Sequence, residues 1–168
     1  MKFLWIALRA VVYMAAFVSF FGLIALSLRG MDAQLGVELP AALRTPGAVL
    51  MTAGAALVLF CGLLFVSRGE GTPAPFDPPR KFVAHGPYLW VRNPMQMGAL
   101  VLLLGFGLWN LSVSIVLFSV VMGAGIHLFV VLVEEPGLAV RFGSDYEEYR
   151  ASVNRWVPAP PQPNESRP

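Results

Sequence analysis

The chain has 168 residues, 57% of them hydrophobic and 13% charged, and a net charge of +2. That charged fraction is about half of what an ordinary soluble domain carries, and a soluble domain of this length cannot hide so much apolar side chain, so lipid is the implied solvent. The small, dispersed charge argues against a nucleic-acid surface, and a single cysteine, Cys61, excludes a disulfide framework and a Cys-rich metal site.

The first apolar run, residues 10–28, follows Lys2 and Arg9. It is longer than the apolar core of a secretory signal and no clean small-residue cleavage site follows, so it reads as a membrane helix. A second run covers 47–66 after Pro46, and a last one covers 111–133 and closes at Glu134. Each has the length that crosses a hydrocarbon core of about 30 Å. Residues 95–109 are equally apolar but rise only about 22 Å as a helix. They form the first arm of a tight hairpin turning at Asn110. The expected fold is therefore all-α, a polytopic membrane protein with about four transmembrane helices, a C-terminal helical hairpin and a cytosolic amphipathic helix.

Between the second and third runs, prolines at 73, 75, 78 and 79 forbid a helix and imply a stiff, extended strap. Beyond Glu134, apolar Leu138, Val140, Phe142, Tyr146 and Tyr149 alternate with Arg141, Asp145, Glu147, Glu148 and Arg150. This pattern suits a helix on the membrane interface, broken at Gly143. Residues 1–157 make one membrane domain, and 158–168 have the composition of a disordered tail. Arg68, Arg80, Lys81 and Arg92 in the second connection, with Arg141, Arg150 and Arg155 in the C-terminal segment, outnumber Arg29 and Arg44 in the first connection. By the positive-inside tendency both termini and the second connection face the cytosol.

Two clusters could carry chemistry. In the first, Asn93 and Pro94 have the N-cap and N1 residue types of a helix start, which sets unpaired N–H groups beside Arg92 as a seat for a carboxylate. The plain alternative is a snorkelling arginine and a simple cap. In the second, Glu134 and Glu135 stand where an apolar run meets the interface, and His127 lies seven residues earlier on nearly the same helix face. Here the alternatives are an exposed pair opening the tail helix and a neutral histidine bonded to a neighbouring helix. The hairpin brings both clusters to the cytosolic end. Together with Tyr88, Trp90, Phe142, Tyr146 and Tyr149 they offer a cation, two carboxylates and aromatic faces, complementary to the carboxylate, ammonium, sulfonium and flat base of S-adenosylmethionine.

The order Gly-Thr-Pro-x-Pro at 71–75, Gly-Pro-Tyr at 86–88, Arg-Asn-Pro-Met at 92–95, Gly98, Glu-Glu-Pro-x-Leu at 134–138 and Arg-Phe-Gly-x-x-Tyr-x-x-Tyr at 141–149, closing with Arg155 and Pro158, resembles the isoprenylcysteine carboxyl methyltransferase and phospholipid methyltransferase superfamily. The resemblance implies an integral membrane methyltransferase that uses S-adenosylmethionine over the region 69–157, with no metal, and takes a lipophilic acceptor laterally from the bilayer. By position it assigns Gly86, Tyr88, Arg92, Asn93, Pro94 and Gly98 to a first cofactor motif, and Glu134 and Glu135 to a second. Many relatives have His where this chain has Asn93, and Asn accepts no proton. A carboxylate acceptor would call on Arg141 or Arg92 for positioning, whereas an amine or thiol would call on Glu135 or His127 as base. A membrane reductase of the sterol-reductase type using NADPH, and a non-catalytic membrane scaffold, are the alternative readings.

Overall fold

The computed structural model describes residues 2–74 and 76–161 and is helical, with no strand among the described residues. Helix α1 spans Lys2–Leu28, a short α2 spans Asp32–Leu35, and α3 spans Arg44–Arg68. Helix α4 covers Pro94–Trp109, α5 covers Val113–Phe129, and a wide π turn, Val130–Glu134, leads into α6, Glu135–Phe142. Gly143, at φ +54°, then breaks the chain before α7, Ser144–Ser152.

Three apolar stretches are long enough to cross a membrane: Phe3–Leu35, Ala41–Arg68 and Val113–Phe142. Helix α4 is shorter, 16 residues and about 24 Å, and crosses against α3. Two boundaries differ from those the sequence suggests. Helix α1 begins eight residues earlier, because the segment up to Arg9 is apolar enough to continue it. The last crossing does not close at Glu134: Pro136 has no N–H to give to the carbonyl four residues back, and the π turn absorbs that loss, with the Glu135 N–H bonded to Val130 O. The helical path therefore runs on to Phe142.

The tightest pair is α3 with α4, rather than the two arms of the α4–α5 hairpin. Glycines seven residues apart, Gly47 and Gly54 on α3 and Gly98 and Gly105 on α4, form facing seams. A Cβ at Gly54 would stand 2.5 Å from Gly98 O, and one at Gly105 would stand 2.4 Å from Met51 N. Lipid gives helices no hydrophobic reason to associate, so such close backbone approach supplies the dispersion that does. Helix α1 packs more loosely, with Ala10 and Ala25 buried and Met14 reaching Gly62, while Trp5, Val12, Phe20 and Leu23 point outward.

Ion pairs and hydrogen bonds order the bundle vertically. Arg9 on α1 pairs with Asp77 at 3.1 Å, so the start of α1 lies beside the α3–α4 connection. At the opposite end Asp32 Oδ1 accepts the Ser114 N–H at 2.8 Å, and the Ser112 hydroxyl caps α5 by accepting from Ile115 N. The strap is not extended. Thr72 N and Oγ1 both donate to Asp77 O, at 3.2 and 2.8 Å, and Gly69 O accepts from Arg80 N and Lys81 N. Gly71 permits this fold-back, since a Cβ there would meet Pro79 at 2.5 Å. Pro75 lies outside the described residues, as does most of the expected tail. Of that tail, Ala159 is tied down by donation of its N–H to Trp90 O at 2.9 Å.

Candidate functional site

A cavity of about 370 Å³ opens at the end of the bundle that carries the strap. Small-molecule pockets start at about this size. Strap residues Pro73, Ala74, Pro79, Phe82 and Val83 roof it, Tyr88, Arg92 and Asn93 line it beside the α4 start, and Gln96 and Glu134 face it from α4 and the π turn. Residues 137–149 of α6 and α7 close the remaining side. The C-terminal helices pack against the strap: Tyr146 is buried, and the Phe82 ring meets those of Phe142, Tyr146 and Tyr149 at 5.3, 6.1 and 5.1 Å. Tyr149 donates its hydroxyl to Tyr88 O at 2.7 Å, which couples α7 to the turn bearing Arg92. Burial raises the pKa of the Tyr88, Tyr146 and Tyr149 phenols, so all three are neutral at physiological pH.

The charged groups divide into two sets. Glu134 lines the cavity, held by Gln96 Nε2 at 3.2 and 2.9 Å from its two oxygens. Glu135 is buried behind it, with Oε1 and Oε2 each 2.8 Å from Arg155 Nε and Nη2 and Oε1 3.2 Å from Arg92 Nη1. The Glu135 carboxylate holds the Arg155 guanidinium above its ordinary pKa. Arg92 lines the cavity with its side chain 10% exposed; its Nη1 is ion-paired with Glu135, and its Nε is buried without a hydrogen-bond partner. A buried, unsatisfied donor on a cation is costly in a finished structure, and its natural complement is an anionic ligand group.

Of the positions singled out from sequence, Tyr88, Arg92, Asn93, Glu134 and Arg141 line the cavity, and Gly86, Pro94, Gly98, Glu135 and His127 do not. Gly86, at φ +58°, turns the chain against Phe60 and Leu64 of α3. Pro94 is N1 of α4 and Gly98 belongs to the α3–α4 seam. Asn93 occupies the N-cap position but its side chain caps nothing; at φ −121° and ψ 51° its Nδ2 instead donates to Arg155 O at 3.2 Å. His127 accepts from Trp156 Nε1 at 2.9 Å through Nδ1. The π turn adds a residue to the turn between His127 and Glu134, which takes the two off the common face that a regular helix would give them. Arg141 stands 5.3 Å from the Phe142 ring centroid.

Sequence reasoning missed Gln96, Phe82 and the pairing of Arg155. Gln96 lies two residues past Pro94, and its polarity in an otherwise apolar helix was a usable signal. Nothing in the sequence announces that Arg155 meets Glu135, which is a contact over twenty residues around a chain reversal.

Residues 47–145, more than half of the chain, match the family described as phospholipid methyltransferase. The chain belongs to that family, within the superfamily of integral membrane methyltransferases that also holds the isoprenylcysteine carboxyl methyltransferases. Membership makes it a membrane methyltransferase by class. Neither curated proteins nor solved structures gave a match. The matched residues take in α3 through the start of α7 and leave α1 and Arg155 outside.

Proposed function

We propose that the chain transfers the methyl group of S-adenosylmethionine to a lipophilic acceptor that reaches the cavity from the bilayer. The observation that carries this reading is the pairing, across one cavity, of a buried Arg92 with a free Nε donor and a Glu134 carboxylate paired only with an amide. Arg92 would hold the carboxylate of the cofactor and Glu134 its ammonium, while the rings of Phe82, Tyr146 and Tyr149 supply flat faces for the base and the sulfonium. When bound, S-adenosylmethionine supplies an activated methyl group for in-line displacement.

The chain's own residues then have to align, dry and balance charge. Strap and aromatic cluster exclude water. Phe129 and Val133 line the cavity and are also exposed on the outer surface of the bundle, at the depth of the last crossing. An acceptor with an apolar tail would enter past them. Arg141 would position an anionic acceptor. For an amine or thiol acceptor the proton would go to the Glu134 oxygen that the cofactor ammonium leaves free, because both oxygens of Glu135 are already taken by Arg155 and Nδ1 of His127 by Trp156. Arg68, Arg80, Lys81, Arg92, Arg141, Arg150 and Arg155 all lie at or beyond the cavity end, which supports a cytosolic site and cytosolic termini.

Family membership favours this reading over the NADPH reductase and the scaffold. The test is incubation of the protein in liposomes with methyl-labelled S-adenosylmethionine and a panel of a prenylated cysteine, an aminophospholipid and a lipophilic thiol. Label in a lipid-extractable product supports the proposal. Absence of label from every acceptor, with the cofactor bound, contradicts the acceptor class.

A further inference from the structure

We infer that Arg155 is a positioning residue: by occupying both oxygens of Glu135 it keeps the Arg92 guanidinium available for the carboxylate of the ligand. The inference rests on the reading of the cavity as an S-adenosylmethionine site and adds to it a residue that does not line the cavity.

Arg92 and Glu135 are both buried, their side chains 10% and 6% exposed, with Nη1 and Oε1 3.2 Å apart. Left to themselves such a pair closes into a two-pronged fork, and the fork would consume the Arg92 donors. Arg155 prevents it. Its Nε and Nη2 approach the two Glu135 oxygens at 2.8 Å each, the geometry of a complete fork. Arg92 is left sharing Glu135 Oε1 through Nη1 alone, while its Nε has no hydrogen-bond partner.

The position of Arg155 is set by the same turn that carries Arg92. Arg92 N donates to Asn154 O at 2.8 Å, and Asn93 Nδ2 donates to Arg155 O at 3.2 Å. The next residue, Trp156, is bonded to His127 of α5, which pins the segment on its other side. Two backbone anchors and one side-chain anchor around a single arginine leave it little freedom except the reach toward Glu135. This gives Asn93 a task as well: it orients the competitor that frees Arg92, where a cap would only have ended a helix.

The test compares binding of S-adenosylhomocysteine with binding of its decarboxylated analogue, which keeps the ammonium, to the full chain in detergent. The wild type is expected to prefer the carboxylate-bearing ligand. Arg155→Ala should lose about tenfold in affinity for S-adenosylhomocysteine, the worth of one charge-assisted hydrogen bond, with little change for the decarboxylated ligand. The double variant Arg155→Ala with Glu135→Gln should regain most of that loss, since a neutral amide no longer competes for Arg92. A merely structural role predicts equal losses for both ligands and no recovery, and either result overturns the inference. The preference between ligands is a property of folded protein, so partial unfolding of a variant does not imitate it. Wild-type binding of neither ligand would bring down the cofactor reading, and this inference with it. A wild-type preference that survives Arg155→Ala would bring down the positioning role alone.

Discussion

Gln96 Nε2 reaches both oxygens of Glu134, at 3.2 and 2.9 Å, and among the described residues no lysine or arginine pairs with that carboxylate. A half-buried carboxylate balanced only by an amide is poorly compensated until a cation arrives. Glu134→Gln should therefore reduce affinity for S-adenosylhomocysteine about tenfold or more while leaving the melting temperature unchanged or raised. Calorimetry and thermal melting on the same preparation check the two halves.

Glu135 predicts the opposite balance. Removing it leaves Arg92 and Arg155 facing each other without their shared anion, and breaking one partner of a buried ion pair costs about 3–5 kcal/mol. Glu135→Ala should lower the melting temperature by several degrees as well as weaken ligand binding, so the loss of binding is read on the folded fraction. A Glu135→Ala protein as stable as wild type would show that the cluster is not built around this carboxylate.

The glycine seam between α3 and α4 makes a prediction about the fold itself. A methyl at Gly105 would sit 2.4 Å from Met51 N, and one at Gly54 would sit 2.5 Å from Leu102 N, both against backbone that cannot swing aside. Gly105→Ala should separate the helices and cost about 1–3 kcal/mol. Gly125→Ala, with nothing within 4 Å of its Cβ, should be neutral or stabilising. Thermal unfolding of the two variants in detergent decides this.

The sequence showed the order of the apolar helices, three long and one shorter, because apolar length survives any change in packing partner. The glycines at 47, 54, 98 and 105 also stood in view, at a seven-residue repeat whose meaning depends on the antiparallel partner. What sequence could not show was the division of labour between adjacent carboxylates. Glu134 and Glu135 differ only through the π turn before Pro136 and through an arginine twenty residues on, so one faces the cavity and the other is locked behind it. His127 and Gly98 were plausible by position alone; the structure bonds His127 Nδ1 to Trp156 and sets Gly98 in the α3–α4 seam.

Tyr149 links stability to alkaline pH. Burial raises its phenol above the ordinary value of 10.0, so the folded state keeps a proton that the unfolded chain gives up. Its contribution is fully present below about pH 10 and is lost as pH rises from there toward the raised folded value. Stability should fall over that window, and Tyr149→Phe should flatten the fall at the cost of about 1 kcal/mol at neutral pH from the lost bond to Tyr88 O. Melting curves of both proteins from pH 8 to 11 give the comparison.

At saturating cofactor His127→Phe should retain methyl transfer within a factor of about two, since His127 does not line the cavity and its Nδ1 is bonded to Trp156. Loss of one hydrogen bond of about 1 kcal/mol is the expected stability effect. A loss of activity of a hundredfold or more at unchanged stability would return this histidine to the chemistry.

The cavity between the strap and α7 is proposed to hold S-adenosylmethionine, and calorimetric titration of the detergent-solubilised chain with S-adenosylhomocysteine, with NADPH as the comparison ligand, is the deciding experiment. Saturable binding of S-adenosylhomocysteine that Arg92→Ala abolishes, with no heat from NADPH, is the predicted result. Binding of NADPH alone, or S-adenosylhomocysteine binding indifferent to Arg92→Ala, would contradict it.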